Sequence, residues 1–362
     1  MIIDMCLIFL KKNFANPAPR QTNKQLCCPV FLCQILFIAA ILAAGCSNSD
    51  DAFDNPPPLV GYAGAFPVEM VEVPGGNFRL GKELNPGDFR IDIITDPPKV
   101  TLTTGFRIGT YQITQWQWQV VMTGNTNGIS PNPSAFHGGR GREPAAGENQ
   151  SKRPVERVSW YDAIVFCNRL SIREGFTPAY RINGSTNPND WGTVPRRRSA
   201  AWDAVEIVPA TGYRLPTEAQ WEYAAKGGHT SCGEGYSVCN ATLAGACCFT
   251  FAGSNNPNEV AWYSINNGNI THAVGLKLPN GLGTYDMSGN VREWCWDIFA
   301  AYTETDKTDP TGGPPSGSYH ITRGGGLNDS YTGIRSVDRG RTGTYTYPFT
   351  RSNHTGLRVV RP

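Results

Sequence analysis

The stretch GYRLPTEAQWEYAA at residues 212–225 decides how the rest of the chain is read. Pro216 precedes Thr217, and Gln220 follows three positions later, so a Thr hydroxyl and a Gln amide can satisfy free backbone groups of a helix's first turn. Trp221, Ala224 and Ala225 then form the packed face of that helix. Outward from it, two more starts are legible. Thr114 and Gln117 form the same capping box, with Gly124 placed to end the helix, and Ser159 opens a third. Ala163, Phe166, Cys167 and Leu170 fall at i, i+3, i+4 and i+7 on this third helix, one buried stripe in which Cys167 is a small core residue. Short strands are expected at 69–73, 78–80, 100–102 and 356–360. Strands near both ends of the domain suggest that the termini pair and close a single unit. With 40 Gly and 27 Pro among 362 residues, long irregular segments separate a few regular elements. No internal repeat and no second folded domain are visible.

Charge is nearly balanced, 32 Lys+Arg against 30 Asp+Glu, so no basic field for nucleic acid follows. Residues 1–45 differ in kind: Lys11, Lys12, Arg20 and Lys24 precede an apolar run over 30–44 that ends at Gly45 and Cys46. This reads as a signal peptide rather than a spanning helix. Its end resembles a bacterial lipoprotein signal, which implies cleavage before Cys46 and a lipid on that sulfur, hence attachment to a membrane. Ala43 stands where such signals usually carry Leu, and an ordinary secretory signal is the alternative. Residues 46–66, with Asp50, Asp51, Asp54 and the prolines 56–58, hold too little apolar surface to pack and read as a flexible tether. The folded part begins near Pro67 and runs to 362. Ser47 after Cys46 points to the outer membrane or cell surface. In an exported protein Cys232, Cys239, Cys247 and Cys248 either staple their loop as disulfides, which an oxidising compartment favours, or hold a metal.

Several motifs in order identify the domain. They are MVEVPGGNF at 70–78, Arg153-Pro154-Val155 with Val158-Ser159-Trp160, the 212–225 stretch, YDMSGNVREW at 285–294, Arg323-Gly324-Gly325 and Gly356-Leu357-Arg358. Together they resemble the formylglycine-generating enzyme, or sulfatase-modifying factor, family over about residues 67–362. The resemblance implies an α+β, loop-rich variant of the C-type-lectin-like fold. Fold is not function. That family's enzyme holds copper with two cysteine thiolates a few residues after the Gly-Gly pair. The corresponding positions are here about Asp329 and Ile334, and a carboxylate with an alkyl group cannot hold Cu(I). A related branch uses histidine-bound iron, whereas His137, His229, His272, His320 and His354 are scattered singly. Neither copper nor iron is therefore expected, and no catalytic residue is assigned.

The family loop over 286–293 binds Ca2+, which by resemblance would fall to the side chains of Asp286 and Glu293 and the carbonyls of Gly289 and Val291. The other reading is that Asp286 and Glu293 cap turns and pair with Arg292 or Arg323. A second family site, near Glu259 and Val260, is weaker because the following loop is short.

The tail, residues 323–362, runs RGGGLNDSYTGIRSVDRGRTGTYTYPFTRSNHTGLRVVRP. It contains no Cys, Lys, Glu, Gln, Met or Trp, and is rich in Tyr, Ser, Asn, Asp, Thr, Gly and Arg, the mixture of antibody binding loops. Its framework is similar to variable target proteins of diversity-generating retroelements. In these, template adenines in asparagine codons are replaced at random, which never yields Lys, Glu, Gln, Met or Trp. The expected variable, ligand-facing positions are Asn328, Asp329, Ser330, Thr332, Gly333, Asp338, Gly340, Arg341, Ser352 and His354, with Tyr331, Tyr345 and Tyr347 as contact aromatics. Arg335, Arg339, Arg351 and Arg358 would be framework, pairing with buried acceptors. The sequence thus points to a non-catalytic, surface-displayed lipoprotein whose C-terminal face recognises an external protein or glycan. The alternatives are a metal-dependent enzyme of the sulfatase-modifying family and a purely structural envelope lipoprotein.

Overall fold

The structure, a computed structural model, describes residues 68–81, 98–139, 141–228, 249–312, 318–339 and 346–362. Cys46, the tether, His229, the four clustered cysteines, Gly340, Arg341 and Tyr345 lie outside the described residues. Among the described residues no helix is long and apolar enough to cross a membrane.

All three helix starts form as their capping chemistry dictates. Helices Gln115–Met122, Trp160–Arg173 and Glu218–Ala225 each open on a reciprocal capping box, at Thr114, Ser159 and Thr217. The stripe Ala163, Phe166, Cys167 and Leu170 is fully buried, as are Trp221 and Ala224. The expected strands appear as Met70–Val73, Gly76–Arg79 and Lys99–Leu102, while the C-terminal one is divided into Thr355–Gly356 and Val360–Arg361. The termini do not pair with each other. Met70–Val73 and Val360–Arg361 instead flank Phe106–Gly109 on either side, both antiparallel to it, so one central strand closes the domain.

The central element is the strand Arg292–Ile298, paired antiparallel with His320–Arg323 and parallel with Thr355–Gly356. It is covered on both faces. Because successive side chains alternate, Trp294 enters one core with Trp118, Trp160 and Phe166, and Cys295 enters another with Phe78, Ile108 and Trp221. The indole N–H groups of Trp294, Trp160 and Trp221 each find an acceptor. Trp294 donates to the Val158 carbonyl at 3.0 Å. Trp160 donates to the Cys295 carbonyl at 2.9 Å, and Trp221 to Glu293 Oε2 at 2.7 Å. Those bonds tie the helices Trp160–Arg173 and Glu218–Ala225 to one strand, and from that strand the tail hangs.

Candidate functional site

The tail is held by ion pairs that reach far back along the chain. Arg339 grips Glu218 with two nitrogens, Nε at 2.6 Å and Nη2 at 2.5 Å, and Arg323 pairs with Glu222. Arg351 grips Asp162 with both Nε and Nη2 at 2.7 Å, so the carboxylate that caps the helix Trp160–Arg173 also fixes the tail. Arg358 clamps Glu293 at 3.0 and 2.9 Å while its remaining N–H groups donate to the carbonyls of Gly109, Thr110 and Tyr285. Burial would push the Glu218 carboxyl up, but Arg339 and Arg323 outweigh it and hold it below the usual range. Asp297 lies next to this cluster, and among the described residues no arginine forms an ion pair with it. Burial first, then the Glu218 charge, push it up to about 7. Arg339, Arg351 and Arg358 thus serve as framework, and Arg335 stacks 5.8 Å over the Tyr331 ring.

The expected ligand-facing positions separate into four groups. Asn328, Ser330 and Tyr331 are exposed, Tyr331 by 53%, and Thr332 is half-buried with its hydroxyl 2.9 Å from that of Ser330. Asp329 is at the base of this turn rather than at its tip. Its carboxylate accepts Arg292 Nε at 2.9 Å and Nη2 at 2.5 Å and the Gly326 N–H at 2.8 Å. His354 joins it there, with the Ser352 hydroxyl 2.9 Å from its Nδ1: the Arg292 N–H donates to the His354 carbonyl at 2.8 Å, and burial lowers the basicity of the His354 ring before the Arg292 and Asp329 charges act on it. Tyr347, 41% exposed, belongs to a separate aromatic group with Tyr319 and Phe349, at 4.6 and 5.1 Å between ring centres. Gly333 and Asp338 are buried and present no side chain to solvent. Gly325 is the residue that lets the turn close. At φ +66° a Cβ there would sit 2.5 Å from the Gly333 carbonyl oxygen.

Beside the tail, a cleft of about 370 Å³ is lined by Glu218, Asp297, Tyr302, Gly312 and Arg339 among others. Its buried acidic groups and Arg339 are already engaged, since Arg339 pairs with Glu218, Tyr302 donates to Glu218 at 2.9 Å and Asp297 accepts the Glu218 N–H at 2.7 Å.

Asp329 and Ile334, expected to lie about where the family's copper cysteines fall, are held on Arg292 and fully buried, respectively. Cys167 and Cys295 are also fully buried, and burial pushes both thiols up, away from the thiolate. Among the described residues no three His, Cys, Asp or Glu side chains gather in a way that could hold a metal.

In the loop over 286–293 the carbonyls of Asp286, Gly289 and Val291 and the Glu293 carboxylate converge, whereas the Asp286 side chain, expected among them, does not join. Asp286, Gly289 and Asn290 take left-handed backbone conformations, at φ 56°, 84° and 61°, which turn neighbouring carbonyls inward. A Cβ at Gly289 would lie 2.3 Å from the Trp262 carbonyl oxygen, so only glycine fits. Facing this ring is Gln112, which sequence reasoning missed. Its Nε2 lies 2.8 Å from the Val291 carbonyl, 3.0 Å from Glu293 Oε1, 3.1 Å from the Asp286 carbonyl and 3.3 Å from the Gly289 carbonyl. The Asp286 side chain is turned instead toward the Gly275 N–H, at 2.8 Å, and burial pushes it up to about 6. Glu293 pairs with Arg358, rather than with Arg292 or Arg323.

Relatives agree with this architecture. The chain is 37% identical over 315 residues to "Chaperone protein LppX" of Paenibacillus barcinonensis, covering 81% of this chain and 89% of that one. It is 28% identical over 303 residues to the formylglycine-generating enzyme of Thermomonospora curvata, covering 80% and 92%. Among solved structures, Treponema denticola variable protein 1 superposes with a TM-score of 0.65 at 35% identity, covering 81% of this chain and 95% of that one. Residues 63–362 match the sulfatase-modifying factor enzyme 1-like domain, and the chain belongs to that family.

Proposed function

We propose that this protein is a non-catalytic binding protein, displayed at the outer membrane or cell surface through a lipid on Cys46, whose C-terminal face recognises an external protein or glycan. One observation carries the reading. The tail divides into arginines locked onto carboxylates elsewhere in the fold and exposed Asn328, Ser330 and Tyr331 side chains whose contacts, Ser330 with Thr332 and Tyr331 with Arg335, stay within the tail. Such a division lets side chains change without loss of the scaffold, and large Tyr contacts with small polar neighbours suit varied ligands. The likeness to a protein named as variable supports the same reading. So does the replacement of the soft-donor pair at the positions where the family's oxidase holds copper.

The test is to sequence the 3′ end of the gene from many cells of one culture, with its flanking DNA. A nearby near-copy of the tail-coding segment, differing only at adenines and accompanied by a reverse transcriptase, is the expected result. An invariant tail with no such copy would overturn the diversified part. For the non-catalytic part, purified protein is expected to leave a cysteine-containing sulfatase peptide unchanged with or without copper, and aldehyde formation would refute it. The relative named a chaperone favours a second reading, in which the same face holds another exported protein during its folding.

A further inference from the structure

The side-chain amide of Gln112 sits where four oxygens of the 286–293 loop converge, a place in which the family's fold would otherwise hold a cation. We propose that Gln112 is the permanent occupant of this ring, so that the domain and the tail built on it are independent of calcium.

Three features support it. First, the distances are those of hydrogen bonds. The four oxygens lie 2.8, 3.0, 3.1 and 3.3 Å from Nε2. Calcium needs six to eight oxygens at about 2.3–2.6 Å. An amide carries two N–H bonds, and the two nearest oxygens, of Val291 and Glu293, receive them well. Second, the charge is already balanced. Glu293 supplies the only carboxylate oxygen among those four, and Arg358 clamps it while Trp221 donates to Oε2. A divalent ion would be placed against a buried guanidinium. Third, the Asp286 carboxylate is turned away to the Gly275 N–H, so it adds no ligand to the four converging oxygens, which are fewer than the six to eight calcium takes.

The ring matters for the binding face because its strand also carries Arg292, which holds Asp329 at the base of the exposed turn. Whatever fixes the ring therefore fixes the turn, and an amide supplied by the chain does so in calcium-poor and calcium-rich media alike.

The experiment uses the full chain. Melting is followed in excess EDTA and in excess CaCl2, where a ligand of the folded state raises the midpoint by mass action. The expected result is the same midpoint in both, with no saturable heat in a CaCl2 titration; a calcium-dependent rise or stoichiometric uptake would overturn the proposal. Gln112→Met keeps the length and removes the donors. It is expected to lower the midpoint by roughly 5 °C, because buried acceptors lose their partner. An unchanged midpoint would show that the amide holds nothing. Should the variant fail to fold, the wild-type calcium comparison decides alone.

Discussion

Asp329 stands at the point where scaffold and binding face meet, so replacing it separates the two. In Asp329→Ala the Arg292 guanidinium, on a side chain only 8% exposed, loses both of its bonds to a carboxylate that is itself 14% exposed. Removing one partner of a fully buried pair costs about 3–5 kcal/mol, because the other charge is left uncompensated. The Gly326 N–H loses its acceptor as well. That adds about 1 kcal/mol. Residual exposure lets water screen part of the orphaned charge, so the total is set at roughly 3 kcal/mol, which lowers the folded-to-unfolded ratio by about two orders of magnitude. Urea titration followed by tryptophan fluorescence reads it directly, since Trp118, Trp160, Trp221 and Trp294 are buried. Asn328→Ala, on an exposed neighbour, is the control. Its stability is expected to stay within about 0.5 kcal/mol of wild type, as for surface substitutions in general. An Asp329→Ala variant as stable as that control would refute the reasoning, because position 329 would then be as free to vary as its neighbours.

Asp297, pushed up to about 7 against 3.8 in the unfolded chain, makes stability fall as pH rises through its folded value. Between pH 6 and pH 8 the unfolded chain has already lost this proton while the folded one gives it up, a loss on the order of 1 kcal/mol. Asp297→Asn, which can still accept the Glu218 N–H, is expected to flatten that part of the pH profile, and an unaltered profile would count against it. Gly325→Ala is expected to prevent stable folding, because its Cβ would meet backbone at 2.5 Å. Gly175 is also at positive φ but has nothing within 4 Å of its would-be Cβ. Gly175→Ala should therefore cost only the left-handed backbone penalty, about 1–2 kcal/mol in the same urea titration. Tyr331→Ala removes a half-exposed ring. It is expected to shift the melting midpoint by no more than about 2 °C, and a larger fall would make Tyr331 part of the scaffold.

The helix starts, the buried stripe of the helix Trp160–Arg173 and the framework role of Arg339, Arg351 and Arg358 were legible in the sequence. Capping is chemistry within three residues, and a stripe is periodicity within two turns. The family motifs disclosed the fold as a whole for a related reason: Gly289 and Gly325 mark places where only glycine fits the backbone. The sequence alone also presented a tail lacking Lys, Glu, Gln, Met and Trp.

Tertiary structure decided which carboxylate each arginine meets. Glu218 and Arg339 are 121 positions apart and Asp162 and Arg351 are 189 apart, and no local pattern links such residues. The structure also withdrew Gly333 and Asp338 from the surface and turned Asp329 inward, because burial depends on how the 326–331 turn packs against Arg292 rather than on polarity. Gln112 is the clearest case. Read along the chain it is one polar residue between Tyr111 and Ile113; only folding brings its amide to a ring of oxygens 174 to 181 positions away.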